Sequence, residues 1–195
     1  MVSVFNEPGP PKVITVTENN EDAISIVQVK AAAGYLNGYA DQEFIESLPT
    51  LAVPGLKGGT HRAFEVKGAS MLPTHHPGSI SICRYVESFS EIRDRRVYVL
   101  VTRDGVVLKR VLNRVEEEGK LILISDNENK REYPNYPIYA EDVLEIWYWR
   151  ASIIRESPEP GGMYNRLNDL QADVTLMRAE LSQLKGSNKR RLNDK

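Results

Sequence analysis

One cysteine stands in 195 residues, and that scarcity excludes several chemistries. A lone Cys83 makes no intramolecular disulfide and no Cys-x-x-Cys metal or redox pair. Within Ser79-Ile80-Ser81-Ile82-Cys83 it reads as a small apolar strand residue. Histidine is almost as rare. His61, His75 and His76 lack the spacing of a metal-ligand set, so neither a metal nor another cofactor is expected. A basic excess is also missing: 25 Lys and Arg against 27 Asp and Glu leave a net charge of −2. Such a chain has no bulk attraction to nucleic acid or to an anionic membrane. No run approaches the ~18 apolar residues of a membrane span, and the first residues show no basic-plus-apolar signal. The expectation is a cytoplasmic protein without a membrane partner. What is present, 41% hydrophobic and 27% charged residues, suits one ordinary globular domain with extensions, or two small ones.

Taken in order, residues 1–12 carry Pro8, Gly9, Pro10 and Pro11 and read as a linker. Residues 13–18 and 24–30 alternate in strand fashion around the polar turn Asn19-Asn20-Glu21-Asp22. Ala31-Ala32-Ala33-Gly34 follows. Asp41 is a plausible N-cap for a short helix through Leu48, stopped by Pro49. Residues 49–60 look like loop. Strands are expected over 62–67, 79–86, 97–102, 106–115, 121–125 and 143–154, with Asp104-Gly105 marking a hairpin. The fold class is therefore mainly β: twisted antiparallel sheets or a small half-open barrel. Residues 156–162 form a Pro/Gly linker. Beyond it Met163, Leu167, Leu170, Val174, Met177, Leu181 and Leu184 recur at alternating spacings of four and three. That is the a/d pattern of a coiled coil over about three heptads, expected as a helix from 163 to 185. So short a helix is marginal alone, which points to a homodimer or higher homo-oligomer; a helix packed on its own domain is the alternative. Residues 186–195, with Lys189-Arg190-Arg191, read as a disordered basic tail.

The chemistry concentrates in Phe64-Glu65-Val66-Lys67-Gly68-Ala69-Ser70-Met71-Leu72-Pro73-Thr74, a strand running into glycine and then serine. Serine needs a group to take its proton before it can attack. The surroundings of Ser70 are neither G-x-S-x-G nor S-x-x-K. His75 and His76 are candidate bases but lie close to Ser70 in a Pro-containing turn. Lys109 is the other candidate. Strand alternation puts it on the face of Val107 and Val111. If that face is covered, the ammonium loses hydration and its pKa falls below the reference ~10.4, leaving a neutral amine able to accept the serine proton. By periodicity alone, a snorkelling lysine on a half-exposed strand is the better reading.

The ordered set Phe64-x-Val66-x-Gly68-x-Ser70-Met71-x-Pro73-Thr74, Gly78, Val107-x-Lys109-Arg110 and Leu123-x-Ser125-x-Asn127 resembles the peptidase domain of LexA, UmuD and the self-cleaving phage repressors. The resemblance spans roughly residues 30–150. It implies a nucleophile at Ser70, a general-base Lys109, and an oxyanion pocket of backbone N–H groups at or near Ser70, with Ala69 and Met71 flanking it. An acidic residue often stands in that family where Ala69 stands here. The resemblance also implies a fold like the LexA C-terminal domain, dimerisation through it, and cleavage of the chain's own Ala33-Gly34 bond. A small residue before the bond and no side chain after it ease entry into a narrow pocket. Ala31-x-Ala33 also resembles a signal-peptidase site, and a helix capped by Gly34 is the structural alternative.

The expected organisation is an arm over 1–33, a peptidase and dimerisation domain over 34–155, then linker, coiled coil and tail. Repressors of this kind carry a helix-turn-helix before the cleavage site, and residues 1–33 hold no helix pair for a major groove. DNA contact is thus expected only through a domain missing from this chain. In such proteins a RecA–single-stranded DNA filament triggers cleavage, so it is the expected partner. A UmuD-like stress or translesion factor and a non-cleaving dimerisation module are the alternatives.

Overall fold

The computed structural model describes residues 23–29, 35, 42–56, 59–155, 167 and 169–181. The expected strand over 13–18, the Ala33-Gly34 bond, the linker over 156–162 and the tail over 186–195 lie outside the described residues. The chain divides into two compact units, Met1–Arg155 and Glu156–Lys195. Within the second, residues 169–181 are helical and are called α3 below. Among the described residues no helix is long and apolar enough to cross a membrane.

The first unit is built on nine strands: β1 (Ala23–Val27), β2 (Thr50–Ala52), β3 (His61–Glu65), β4 (Ile80–Tyr85), β5 (Arg96–Thr102), β6 (Gly105–Arg114), β7 (Lys120–Ile124), β8 (Tyr136–Tyr139) and β9 (Val143–Ile153). Among the described residues, the short α-helices α1 (Gln42–Ser47) and α2 (Val115–Glu118) interrupt them. The strands form one open sheet in the order β2-β1-β3-β4-β9-β5-β6-β7-β8. The mainly β expectation holds, with a correction. The sheet is mixed, because β1 runs parallel to β3, with Ile26 opposite Ala63 and Val27 opposite Phe64. The long connection between those strands leaves room for a parallel return, which a tight turn would forbid. Nor does the sheet close, since β2 and β8 remain its edges.

Alternation explains how the centre of the sheet is buried. In β5, Tyr98 and Leu100 enter one apolar cluster with Val111, Leu121, Leu123 and Ile146. Val99 and Val101, pointing the opposite way, join a second with Val27, Tyr35, Ile45, Phe64 and Trp147. A strand covered on both faces reads as a continuous apolar run, which is why Val97-Tyr98-Val99-Leu100-Val101 shows no polar alternation. Cys83 is fully buried in β4, and burial pushes its thiol pKa up, in line with a packing role.

The second cluster encloses charge. Arg62 and Glu145 are 2% and 1% exposed, and the Arg62 guanidinium lies 4.8 Å from the Trp147 ring centre. Tyr35, fully buried, donates its hydroxyl to Glu145 Oε2 at 2.5 Å, and Trp147 Nε1 donates to the same oxygen at 2.9 Å. Arg62 Nη1 donates to the Tyr35 oxygen and lies 3.7 Å from Glu145 Oε1. Donors placed around a buried carboxylate in this way offset part of the cost of leaving water.

Candidate active site

Strand β3 delivers its chain to a turn that is tied at its base. Val66 N donates to Ser79 O at 2.8 Å and Gly78 N donates back to Val66 O at 2.9 Å. Gly68 takes φ +73°, a left-handed conformation that glycine adopts without a side-chain clash, and so turns the chain toward Ser70. Leu72 N donates to Ala69 O and His75 N to Met71 O, at 3.1 and 2.9 Å, which winds the residues after Ser70 into a compact turn. Met71 is 1% exposed and anchors that turn in the interior, while Ser70 stays half-buried.

The turn is also gripped from the segment after β7. Asn127 Nδ2 donates to Ala69 O at 2.8 Å and Asn127 N donates to Ser70 O at 3.0 Å. Asp126, one residue earlier, receives two bonds of 2.7 Å from the Arg110 guanidinium and a further bond from the Thr74 hydroxyl. Paired bonds of this kind fix orientation as well as distance. Although burial opposes it, those donors hold the Asp126 carboxyl below its ordinary pKa. The Ser70 turn and β6 are thus clamped to one another through Asp126 and Asn127.

Lys109 leaves β6 opposite Tyr98 and is only 7% exposed. Its Nζ donates to Ser125 Oγ at 3.0 Å. Burial is the largest cause holding its pKa below the ordinary lysine value, and the nearby Lys130 cation adds to the effect, while Asp126 opposes it. Lys130 is itself tied down, its Nζ donating to Ser125 O and, at 3.5 Å, to Asn135 Oδ1. Asn135 Oδ1 in turn accepts from Ser125 N at 3.2 Å. Two lysines therefore converge on Ser125, one on its hydroxyl and one on its carbonyl.

Ser70, Met71 and Lys109 all line one cleft of about 460 Å³, together with Val27, Gln28, Val29, Phe64, Ser81 and Tyr136 among others. The sequence-expected pair is thereby brought to a common wall. Ala69 is not on that wall; its carbonyl is occupied by Asn127 and Leu72. Neither His75 nor His76 lines the cleft. His75 packs edge-on against Trp149, and burial lowers its pKa. Among the described residues no three His, Cys, Asp or Glu side chains form a group able to hold a metal.

Several residues of the site have no role in the sequence reading. Ser125 and Asn127 belong to the quoted pattern, but nothing in the pattern says that one meets Lys109 and the other the Ser70 turn. Ser81 is fully buried on the cleft wall, and its hydroxyl has no hydrogen-bond partner among the described residues. Glu65 accepts from Val29 N at 3.0 Å and fixes the end of the segment that follows β1 against the cleft. The signal for Ser81 was available as a polar residue in an otherwise apolar strand.

None of the curated proteins compared with the chain matches it. A family model does, over residues 25–147, a stretch that opens in β1, ends in β9 and takes in Ser70, Lys109, Ser125 and Asn127. By that match, which covers well over half of its length, the chain belongs to the Peptidase S24-like family, the serine peptidases related to LexA, UmuD and the phage repressors.

Proposed function

We propose that the chain is a self-cleaving serine endopeptidase and regulator of the LexA and phage-repressor kind, with Ser70 as nucleophile, Lys109 as general base and Ala33-Gly34 as the bond cut. What supports this reading is that Ser70 and a buried Lys109, whose charged form is disfavoured, line the same cleft. A neutral Lys109 amine takes the Ser70 hydroxyl proton as Oγ attacks the Ala33 carbonyl carbon. Collapse of the tetrahedral intermediate breaks the C–N bond, and the Lys109 ammonium returns the proton to the Gly34 amine. Water, deprotonated by Lys109, then releases Ala33 from the Ser70 ester. Ser125 keeps the amine aimed, because a hydrogen bond of 3.0 Å restricts the rotamers of a long side chain.

The substrate assignment is supported from both sides of the bond. Val29, four residues before Ala33, lines the cleft and is held by Glu65. Four residues of chain reach at most about 14 Å, which bounds how far the bond can lie from Val29. Tyr35, the second residue after the proposed cut, is locked to Arg62 and Glu145. A bond tethered at both ends reacts intramolecularly, so positioning rather than affinity controls the rate. Cleavage breaks the covalent link between residues 1–33, whose β1 stays paired in the sheet, and the Ser–Lys body, and a partner that favours the docked arrangement of the bond speeds it by shifting a population.

Purified protein incubated between pH 7 and 10 and followed by intact mass spectrometry tests this. Two fragments meeting between Ala33 and Gly34, absent from Ser70→Ala, are expected. A folded wild type that stays whole at pH 10, or a Ser70→Ala variant that still cuts, overturns it.

A further inference from the structure

Helix α3, with Leu167 just before it, carries an exposed apolar face. Leu167, Leu170, Val174, Met177 and Leu181 are 47–63% exposed. Their spacing of three and four places Leu167, Val174 and Leu181 at position a and Leu170 and Met177 at position d of a heptad. Leu176, equally exposed, falls at c and lies off this seam.

The flanking charges identify what covers the seam. Position g is Arg166, Asp173 and Glu180 in turn; position e is Gln171, Arg178 and Lys185. In a parallel, in-register pair each g residue meets the e residue of the next heptad on the other helix. That gives Asp173 with Arg178 and Glu180 with Lys185, twice over by symmetry, while Arg166 meets the neutral Gln171, so no like charges face each other. In an antiparallel pair g meets g and e meets e, so Asp173 faces Asp173 where Arg166 faces Glu180, and the basic e residues Arg178 and Lys185 lose their acidic partners. Like charges at such contacts are unfavourable, and the pattern selects against that orientation. A β-branched Val174 at a with Leu170 at d suits two strands.

We propose that α3 is a self-recognition element that binds a second copy of this chain as a parallel, in-register two-stranded coiled coil. Paired copies then leave the zipper side by side and pointing the same way, so two peptidase units are held at high local concentration whatever their own affinity. The inference rests on the second unit alone and stands or falls independently of the proposed peptidase activity.

Cysteine cross-linking of the full chain reads the orientation directly. Leu167→Cys and Leu181→Cys are prepared separately, both lying outside the residues matched by the family. The wild type serves as control, because its buried Cys83 is shielded from oxidation. Under mild oxidation each variant is expected to convert largely to a disulfide-linked dimer, while a mixture of the two gives little mixed disulfide. Adding Glu180→Lys should lower the dimer yield severalfold, and adding Lys185→Glu to that variant should restore it. A disulfide that forms only when Leu167→Cys and Leu181→Cys are mixed overturns the parallel assignment. Failure of both variants to cross-link overturns self-recognition altogether.

Discussion

Tyr35→Phe removes one oxygen from the buried Arg62–Tyr35–Glu145 group, and its cost follows from the contacts. The lost hydroxyl donates to Glu145 Oε2 at 2.5 Å and accepts from Arg62 Nη1. Hydrogen bonds to charged partners contribute about 1.5–3 kcal/mol each, and part of that is recovered as Trp147 and Arg62 relax around the carboxylate. A net loss of about 2–4 kcal/mol is expected, or a fall in Tm of about 5–15 °C for a unit of this size. The loss depends on pH. Burial, the largest cause, raises the Glu145 pKa, while Arg62, Tyr35 and Trp147 pull it down. A carboxyl with a raised folded pKa contributes stability below its ordinary pKa and loses it as pH rises through the folded value. Removing the Tyr35 donor raises that pKa further, so the variant is hurt more at pH 8 than at pH 4. Calorimetry at both pH values, in a Ser70→Ala background that blocks cutting, measures the difference. A Tm within about 2 °C of the parent at pH 8, or an equal fall at both pH values, refutes the reasoning.

Lys130→Gln should raise the Lys109 pKa, because the Lys130 cation is one of the causes holding it down. Coupling between two neighbouring cations near a protein surface is on the order of 1 kcal/mol. Self-cleavage measured below the Lys109 pKa should therefore slow about fivefold, while the alkaline plateau is unchanged. Asn127→Ala frees the Ala69 carbonyl and should slow cleavage about 10- to 100-fold at every pH with a small change in Tm; an unchanged rate would show that the Ser70 turn needs no clamp. Gly68→Ala meets no atom within 4 Å but keeps φ +73°, so it should cost about 1 kcal/mol from backbone strain alone, seen as a modest Tm loss in urea or heat unfolding.

Local pattern carried much of the sheet. The Thr102 to Gly105 hairpin was legible from Asp104-Gly105, although the two-residue loop is Arg103-Asp104 and Gly105 already pairs with Thr102. The alternation that put Lys109 on the face of Val107 and Val111 agrees with its burial. Two strands were missed for opposite reasons. Thr50–Ala52 is three residues long inside a Gly- and Pro-rich stretch, and Tyr136–Tyr139 contains Pro137, which a strand tolerates at a sheet edge. The charged core was illegible because Tyr35, Arg62 and Glu145 are far apart in sequence. Only the pairing of β1 with β3 and the packing of β9 bring them together. The site shows the same division. Residue types and spacing singled out Ser70 and Lys109, whereas the contacts of Ser125 and Asn127 depend on where the segment after β7 returns.

The rate of self-cleavage against pH tests the central claim most directly. A neutral Lys109 as base requires the rate to rise about tenfold per pH unit and then level off at the Lys109 pKa, below the ordinary lysine value. Lys109→Arg, which keeps its charge, should abolish cutting at every pH. A flat pH profile, or a Lys109→Arg variant that cuts at the wild-type rate, would contradict the account.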